Sequence, residues 1–221
     1  MTQQELVQKT KKKSKLTLKQ ILLQHLIQKQ VLILRLEEIL VLSTFIVGGV
    51  LGRALMQALP SIEPITFFAV LAGALFGKNK GAVAGATSWY LSNFFVFGGQ
   101  GPWTIIQMLS GAFAGYLGGF LSTKAGYLKT ILVMIAATVF FELVMNISSG
   151  FFFGFGIIVS FMSAIPFMIA HIVSNTSFAC MIPRLKKTIQ EKGHLNEKEV
   201  YKEMLERTKV WKKHDGEKSV E

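Results

Sequence analysis

Six side chains stand in otherwise apolar stretches and have the chemistry to hold a polar solute: Arg53, Gln57, Asn93, Gln107, Glu142 and Asn146. A charge in hydrocarbon is expensive, so one found there is a functional candidate. Arg53 and Glu142 offer a guanidinium and a carboxylate, and the four amides each donate and accept. Two readings of the charged residues stay open. Arg53 and Glu142 neutralise each other as a buried structural pair, with the amides adding interhelical hydrogen bonds of about 1 kcal/mol each. Alternatively, the group binds a polar ligand. His171 lies deeper and alone, and one histidine without cysteine or carboxylate neighbours does not make a metal site. Glu142 and His171 are the one candidate acid–base pair, at differing depths. With no H-E-x-x-H, P-loop or G-x-S-x-G run, no catalytic constellation is visible, and no enzyme is expected.

These residues need helices to position them. A span takes about 20 mostly apolar residues. Hydropathy predicts six, over residues 39–59, 65–76, 82–97, 103–121, 127–147 and 155–181, with Pro166 as a possible kink in the last. Lys78 and Lys80 fall between spans two and three, and Lys124 and Lys129 between four and five. Arg184, Lys186 and Lys187 follow span six, and a lysine-rich arm precedes span one. The other connections, 60–64, 98–102 and 148–154, hold neither Lys nor Arg. The positive-inside rule then predicts an all-α bundle of six transmembrane helices with both termini cytoplasmic, in the plasma membrane. At 1.5 Å per residue, Arg53 and Glu142 both lie roughly 9 Å below the outer surface, with Asn93 and Gln107 at similar depths. The expected result is a polar pocket open to the outside and sealed toward the cytoplasm.

Charge distribution supports this reading. Between positions 36 and 183 the charged residues are Glu37, Glu38, Arg53, Glu63, Lys78, Lys80, Lys124, Lys129 and Glu142, and all others of the chain lie in the tails. A soluble domain so poor in charge would aggregate. The net charge of +11 comes mostly from the N-terminal arm, which suits a cytoplasmic flank touching anionic lipid rather than nucleic acid. The organisation expected is a basic arm and amphipathic helix over 1–38, a membrane domain over 39–183, and a charged tail over 184–221. An amphipathic helix at 196–213 carries Val200, Met204, Leu205, Thr208 and Trp211, with Asn196 as its cap. Cys180 cannot form an internal disulfide and is expected to pack as a small residue. The apolar segment after the arm is too long for a signal peptide and is expected to be retained.

Small residues recur on span faces: Thr44, Gly48 and Gly52 on the first, Gly81 and Gly85 on the third, Gly111, Gly115 and Gly119 on the fourth. Such spacing brings backbones close, either within this bundle or against another membrane subunit. Trp103, at the start of the fourth span, is at home at an interface and has a face on which a flat ligand can stack.

Several motifs together resemble the substrate-specific S components of energy-coupling factor (ECF) vitamin importers, over roughly residues 45–125. They are Pro64 opening a short helix, L-A-G-x-L-F-G at 71–77, a basic turn with Gly81, S-N-F-F at 92–95, and G-Q-G-P-W-T at 99–104 leading into Gln107. The last motif resembles cobalamin-type members most. The resemblance implies a six-helix bundle that binds a micronutrient near its outer face and has no enzymatic activity. It adds Gln100 and Trp103 to the binding residues. It implies as partners a transmembrane coupling subunit and two ATPases, which use the ATP, so this chain needs no cofactor. The family places small residues of the first span against the coupling subunit, a role for Thr44, Gly48 and Gly52, although the family typically has alanines there. Capture from outside would be followed by reorientation of the whole bundle. A stand-alone secondary transporter or channel is the alternative, and needs a polar path through the inner half.

Overall fold

The computed structural model describes residues 18–121, 125–154 and 156–192. Seven helices follow one another among these residues: α1 (Leu18–Met56), α2 (Ile65–Phe76), α3 (Lys78–Ser92), α4 (Pro102–Gly118), α5 (Tyr127–Phe152), α6 (Ile157–Ala179) and α7 (Ile182–Lys192). There is no strand among the described residues. Residues 38–193 form one compact unit, and residues 1–37 with 194–221 form a second. The described part of the second is the start of α1, where Leu22 and Leu26 are exposed. The helix expected at 196–213 and the basic arm before residue 18 lie outside the described residues.

Among the described residues, three helical stretches are long and apolar enough to cross a membrane: His25–Met56, Tyr127–Phe152 and Ile157–Gln190. Their outward faces are apolar, with Leu128, Leu132 and Ile147 on α5 and Ile158, Met162, Ile169 and Val173 on α6 all exposed. Water does not tolerate such a surface, and lipid does. The chain is an all-helical membrane protein. Inside the bundle, Val70, Leu71, Ala72, Met134, Ala137, Ala179 and Ile182 form the apolar core.

The other three helices are shorter. α2, α3 and α4 have 12, 15 and 17 residues, or roughly 18, 22 and 26 Å of rise, against a hydrocarbon core of about 30 Å. They pack through glycine. A Cβ on Gly115 would collide with the Gly81 carbonyl, one on Gly85 with the Gly111 carbonyl, and one on Gly73 with the Gly115 carbonyl. Backbones this close permit Cα–H···O contacts. The stripes on α3 and α4 therefore serve packing within this chain.

Connections differ from the hydropathy reading in a consistent way. Gly77 alone separates α2 from α3, because its φ of +91° reverses the chain in one residue. Lys78 and Lys80 consequently sit in the first turn of α3 rather than in a loop. Lys80 pairs with Glu38, and the Lys78 ammonium lies 3.5 Å from the Phe120 ring centroid. α3 ends at Ser92, five residues before the expected limit of 97, and α5 continues to Phe152, five beyond 147. Pro166 lies inside α6, which runs unbroken. Cys180 is exposed rather than packed. α7 turns Ile182 and Lys186 inward, and the Lys186 ammonium donates to the Leu121 carbonyl at 2.7 Å, just beyond α4.

Candidate functional site

Polar side chains collect where α1, α3 and α4 end or begin. Arg53 is in the last turn of α1, where the helix dipole favours a cation. Its Nη1 donates to Ser92 Oγ and to Asn93 Oδ1, both at 2.6 Å, at the C-terminus of α3. Asn93 is buried and spends its amide on α4, donating to Thr104 Oγ1 at 3.0 Å and to Gln107 Oε1 at 2.8 Å. Pro102 starts α4, and Thr104 closes its first turn by accepting from the Gly101 N–H at 3.0 Å. The Thr104 hydroxyl donates to Gln100 Oε1 at 3.0 Å, and the Gln100 amide donates to the Tyr90 carbonyl at 2.8 Å. Arg53, Asn93, Gln100 and Gln107 thus share one network.

A second network joins α2, α5 and α6. His171 Nδ1 lies 2.6 Å from Glu142 Oε1, and His171 Nε2 lies 3.3 Å from Glu63 Oε1. All three residues are buried. Glu142 Oε2 accepts from Asn146 Nδ2 at 3.2 Å. Glu63 stands just before α2, accepting from the Ile65 N–H and the Thr66 hydroxyl, each at 3.2 Å, at the end of the helix that favours an anion. The Ser174 hydroxyl donates to the Ser61 carbonyl at 3.1 Å, fixing the same segment to α6.

An aromatic stack links the two networks. The Arg53 guanidinium lies 4.5 Å from the Trp89 ring centroid, Trp89 stacks on Phe141 at 4.8 Å, and Phe141 meets His171 edge-on at 5.4 Å.

One of the two open readings and one expectation are corrected here. Arg53 and Glu142 do not pair. Arg53 bonds to Ser92 and Asn93, while Glu142 bonds to Asn146 and contacts His171. Nor is His171 alone or at a different depth from Glu142. Counting depth from equal span ends misplaced it, because the α5–α6 pair is longer than its neighbours and packs antiparallel, setting position 171 beside 142.

Other expected residues stand apart. Gln57 is exposed and accepts from the Phe97 N–H at 3.2 Å. Trp103 is half-buried, donates to the Gly99 carbonyl at 3.3 Å and stacks on Phe153 at 6.3 Å between centroids. Gly48 abuts Phe68, and Gly52 abuts Pro64, while Thr44 is exposed and donates back to the Leu40 carbonyl. Among the described residues no group of three or more His, Cys, Asp or Glu has the arrangement of a metal site. Glu63, Trp89, Ser92 and Thr104 were not among the expected site residues, although Ser92 and Thr104 lie in the motifs noted above. An acidic residue just before the Pro64-led helix was the available signal for Glu63, and a threonine three residues after Gly101 the signal for Thr104.

Asn93→Ala removes the partner of Arg53, Thr104 and Gln107 together. It is expected to cost about 2–3 kcal/mol, several times the cost of the exposed Gln57→Ala. Thermal unfolding in detergent measures both.

The chain matches the family of unknown function DUF6580 over residues 34–192 and belongs to it. A stretch of 70 residues is 36% identical to the galactose–proton symporter of Escherichia coli (strain K12), and to that of Escherichia coli O6:H1 (strain CFT073) at the same identity. That stretch is 31% of this chain, and the chain spans 15% of the length of these curated relatives. No solved structure matches the chain.

Proposed function

We propose that this member of the DUF6580 family is the solute-binding membrane subunit of a transport system, and that it acts as an S component of an ECF-type importer. In this reading α1 to α6 cross the plasma membrane, with both termini cytoplasmic. Lys78, Lys80, Lys129 and Arg184 then face the cytosol. The helix ends that carry Arg53, Asn93, Thr104 and Glu63 face outward. α2, α3 and α4 stop short of the outer surface, and irregular backbone at that depth is tolerated where it is buried in protein or lines a cavity.

The observation that carries the proposal is the convergence of Arg53, Asn93 and Gln107, from three helices, on one hydrogen-bonded network at that level. The solute is a vitamin or related micronutrient captured from outside. Energy comes from a coupling subunit and two ATPases, and the chain itself catalyses no reaction. Gly48 and Gly52 are engaged with α2, so a coupling subunit would meet the exposed side of α1 around Thr44.

The test is a vitamin panel on the purified chain without ATP. A true ligand at 100 times its Kd adds about 2.7 kcal/mol to stability, which a thermal shift reads directly. Failure of every vitamin to shift the melt, with no coupling subunit copurifying, overturns the importer reading.

One second reading has its own support. The partial likeness to a proton symporter and the buried Glu63–His171–Glu142 array favour a stand-alone proton-driven transporter. Solute uptake by this chain alone in liposomes, driven by a proton gradient, would decide for it.

A further inference from the structure

The Arg53 guanidinium uses one nitrogen. Nη1 holds Ser92 and Asn93, while among the described residues Nε and Nη2 donate to no protein group. The residue is half-buried, and neither nitrogen is among the fully buried polar atoms that lack a partner. A free Nε/Nη2 edge is the geometry that takes a carboxylate through two parallel hydrogen bonds. The Trp89 ring beneath holds the guanidinium plane.

The charges nearby bear on what accompanies such a ligand. Each nitrogen of His171 faces a carboxylate oxygen, at 2.6 and 3.3 Å. A bare nitrogen lone pair against a carboxylate oxygen would repel, so each contact needs a proton. Two protons are thus shared by three groups, either as an imidazolium between two carboxylates or as a neutral imidazole with one carboxylic acid. Both distributions leave the array at one negative charge. Arg53, whose neighbour Gly52 abuts Pro64 beside Glu63, supplies one positive charge. The cluster at rest is neutral.

Among the described residues, the surroundings of His171 add no further charge. α5 presents Glu142 and the Phe141 edge, with Asn146 on the second oxygen of Glu142. The segment before α2 presents Glu63, with Thr66 bonded to it. α1 contributes Arg53. A monoanion seated on Arg53 would leave this cluster one charge negative in a medium of low dielectric. One proton from bulk water restores neutrality. The Glu63–His171–Glu142 array is the place that receives it, because its imidazole and two carboxylates already share protons. No bond of the solute breaks. The anion and one proton enter, and a guanidinium–carboxylate pair and an array with three shared protons result.

We propose that the solute is a carboxylate-bearing anion held by the free N–H groups of Arg53, and that its binding draws one proton into the Glu63–His171–Glu142 array. This rests on the solute-binding reading above and names its substrate class.

Benzoate and its uncharged counterpart benzamide test it, on the full chain in lipid nanodiscs. Calorimetric titration in two buffers of different ionisation enthalpy gives affinity and proton uptake together. Benzoate is expected to bind at least about tenfold more tightly than benzamide, with uptake of about one proton per benzoate. Arg53→Gln is expected to abolish the preference, and Glu63→Gln, which removes one carboxylate of the array, to lower the proton uptake. Equal affinities, absence of benzoate binding, or benzoate binding without proton uptake in the wild-type chain each overturn the proposal, and the wild-type titrations suffice should a variant fail to fold. A neutral vitamin that stabilises the chain while benzoate does not would leave the solute-binding role standing and remove this inference alone.

Discussion

Gly115→Leu is expected to leave no folded protein in the membrane. At this position even a Cβ would overlap the Gly81 carbonyl and crowd the Ala82 nitrogen, and both are backbone. Side chains can rotate away from an intruder, but two helix backbones in contact can only separate. Separation would break the packing of α3 on α4, and with it the register that brings Asn93 to Thr104 and Gln107. Overpacking a well-filled core typically costs 1–3 kcal/mol, and a collision with rigid backbone should exceed about 3 kcal/mol. Gly126→Ala is the control, since that position has open space around it and ordinary backbone angles. Size-exclusion profiles of detergent extracts compare the two. A monodisperse Gly115→Leu protein with an unchanged melting temperature would refute the glycine-mediated packing.

The second large effect is expected at Glu142. Glu142→Ala strips His171 of its shorter contact and Asn146 of a partner, in the buried middle of the α5–α6 interface. Removing one member of a buried charged pair costs about 3–5 kcal/mol, because the partner is left without compensation. His171→Ala alone should cost a similar amount, for it leaves two carboxylates facing an empty space. The double variant should cost clearly less than the two added together, since neither residue then strands the other. Denaturant or thermal melts of the four proteins close the cycle. Simple additivity would mean that the 2.6 Å contact contributes nothing.

The two effects differ in how far the residues themselves announced them. Glycines four apart at 111, 115 and 119 marked a close helix contact by their spacing alone, because only close contact gives such spacing a use. The partner helix was not legible. That Gly115 meets both Gly81 and Gly73 depends on α2 and α3 folding back at Gly77, which one positive φ decides. Glu142 was recognisable as a costly group in an apolar stretch. Its partner was misjudged, since depth counted along each span assumes helices that begin at one level. α5 and α6 are 26 and 23 residues long, whereas α2 to α4 are 12 to 17, so that assumption fails here. Glu63 fell in the 60–64 connection, read as a loop without Lys or Arg, and became a buried partner of His171 only when the segment before α2 folded against α6.

Hydropathy and charge are sums over neighbours in the chain, and they alone made this a helical membrane protein with a few polar groups at particular turns. Which of those groups touch is a matter of axial offset and rotation between helices, and neither is encoded within any one segment. Glycine contacts and unequal helix lengths set them. Only in the assembled bundle does Arg53 turn to Ser92 and Asn93, leaving Glu142 to His171.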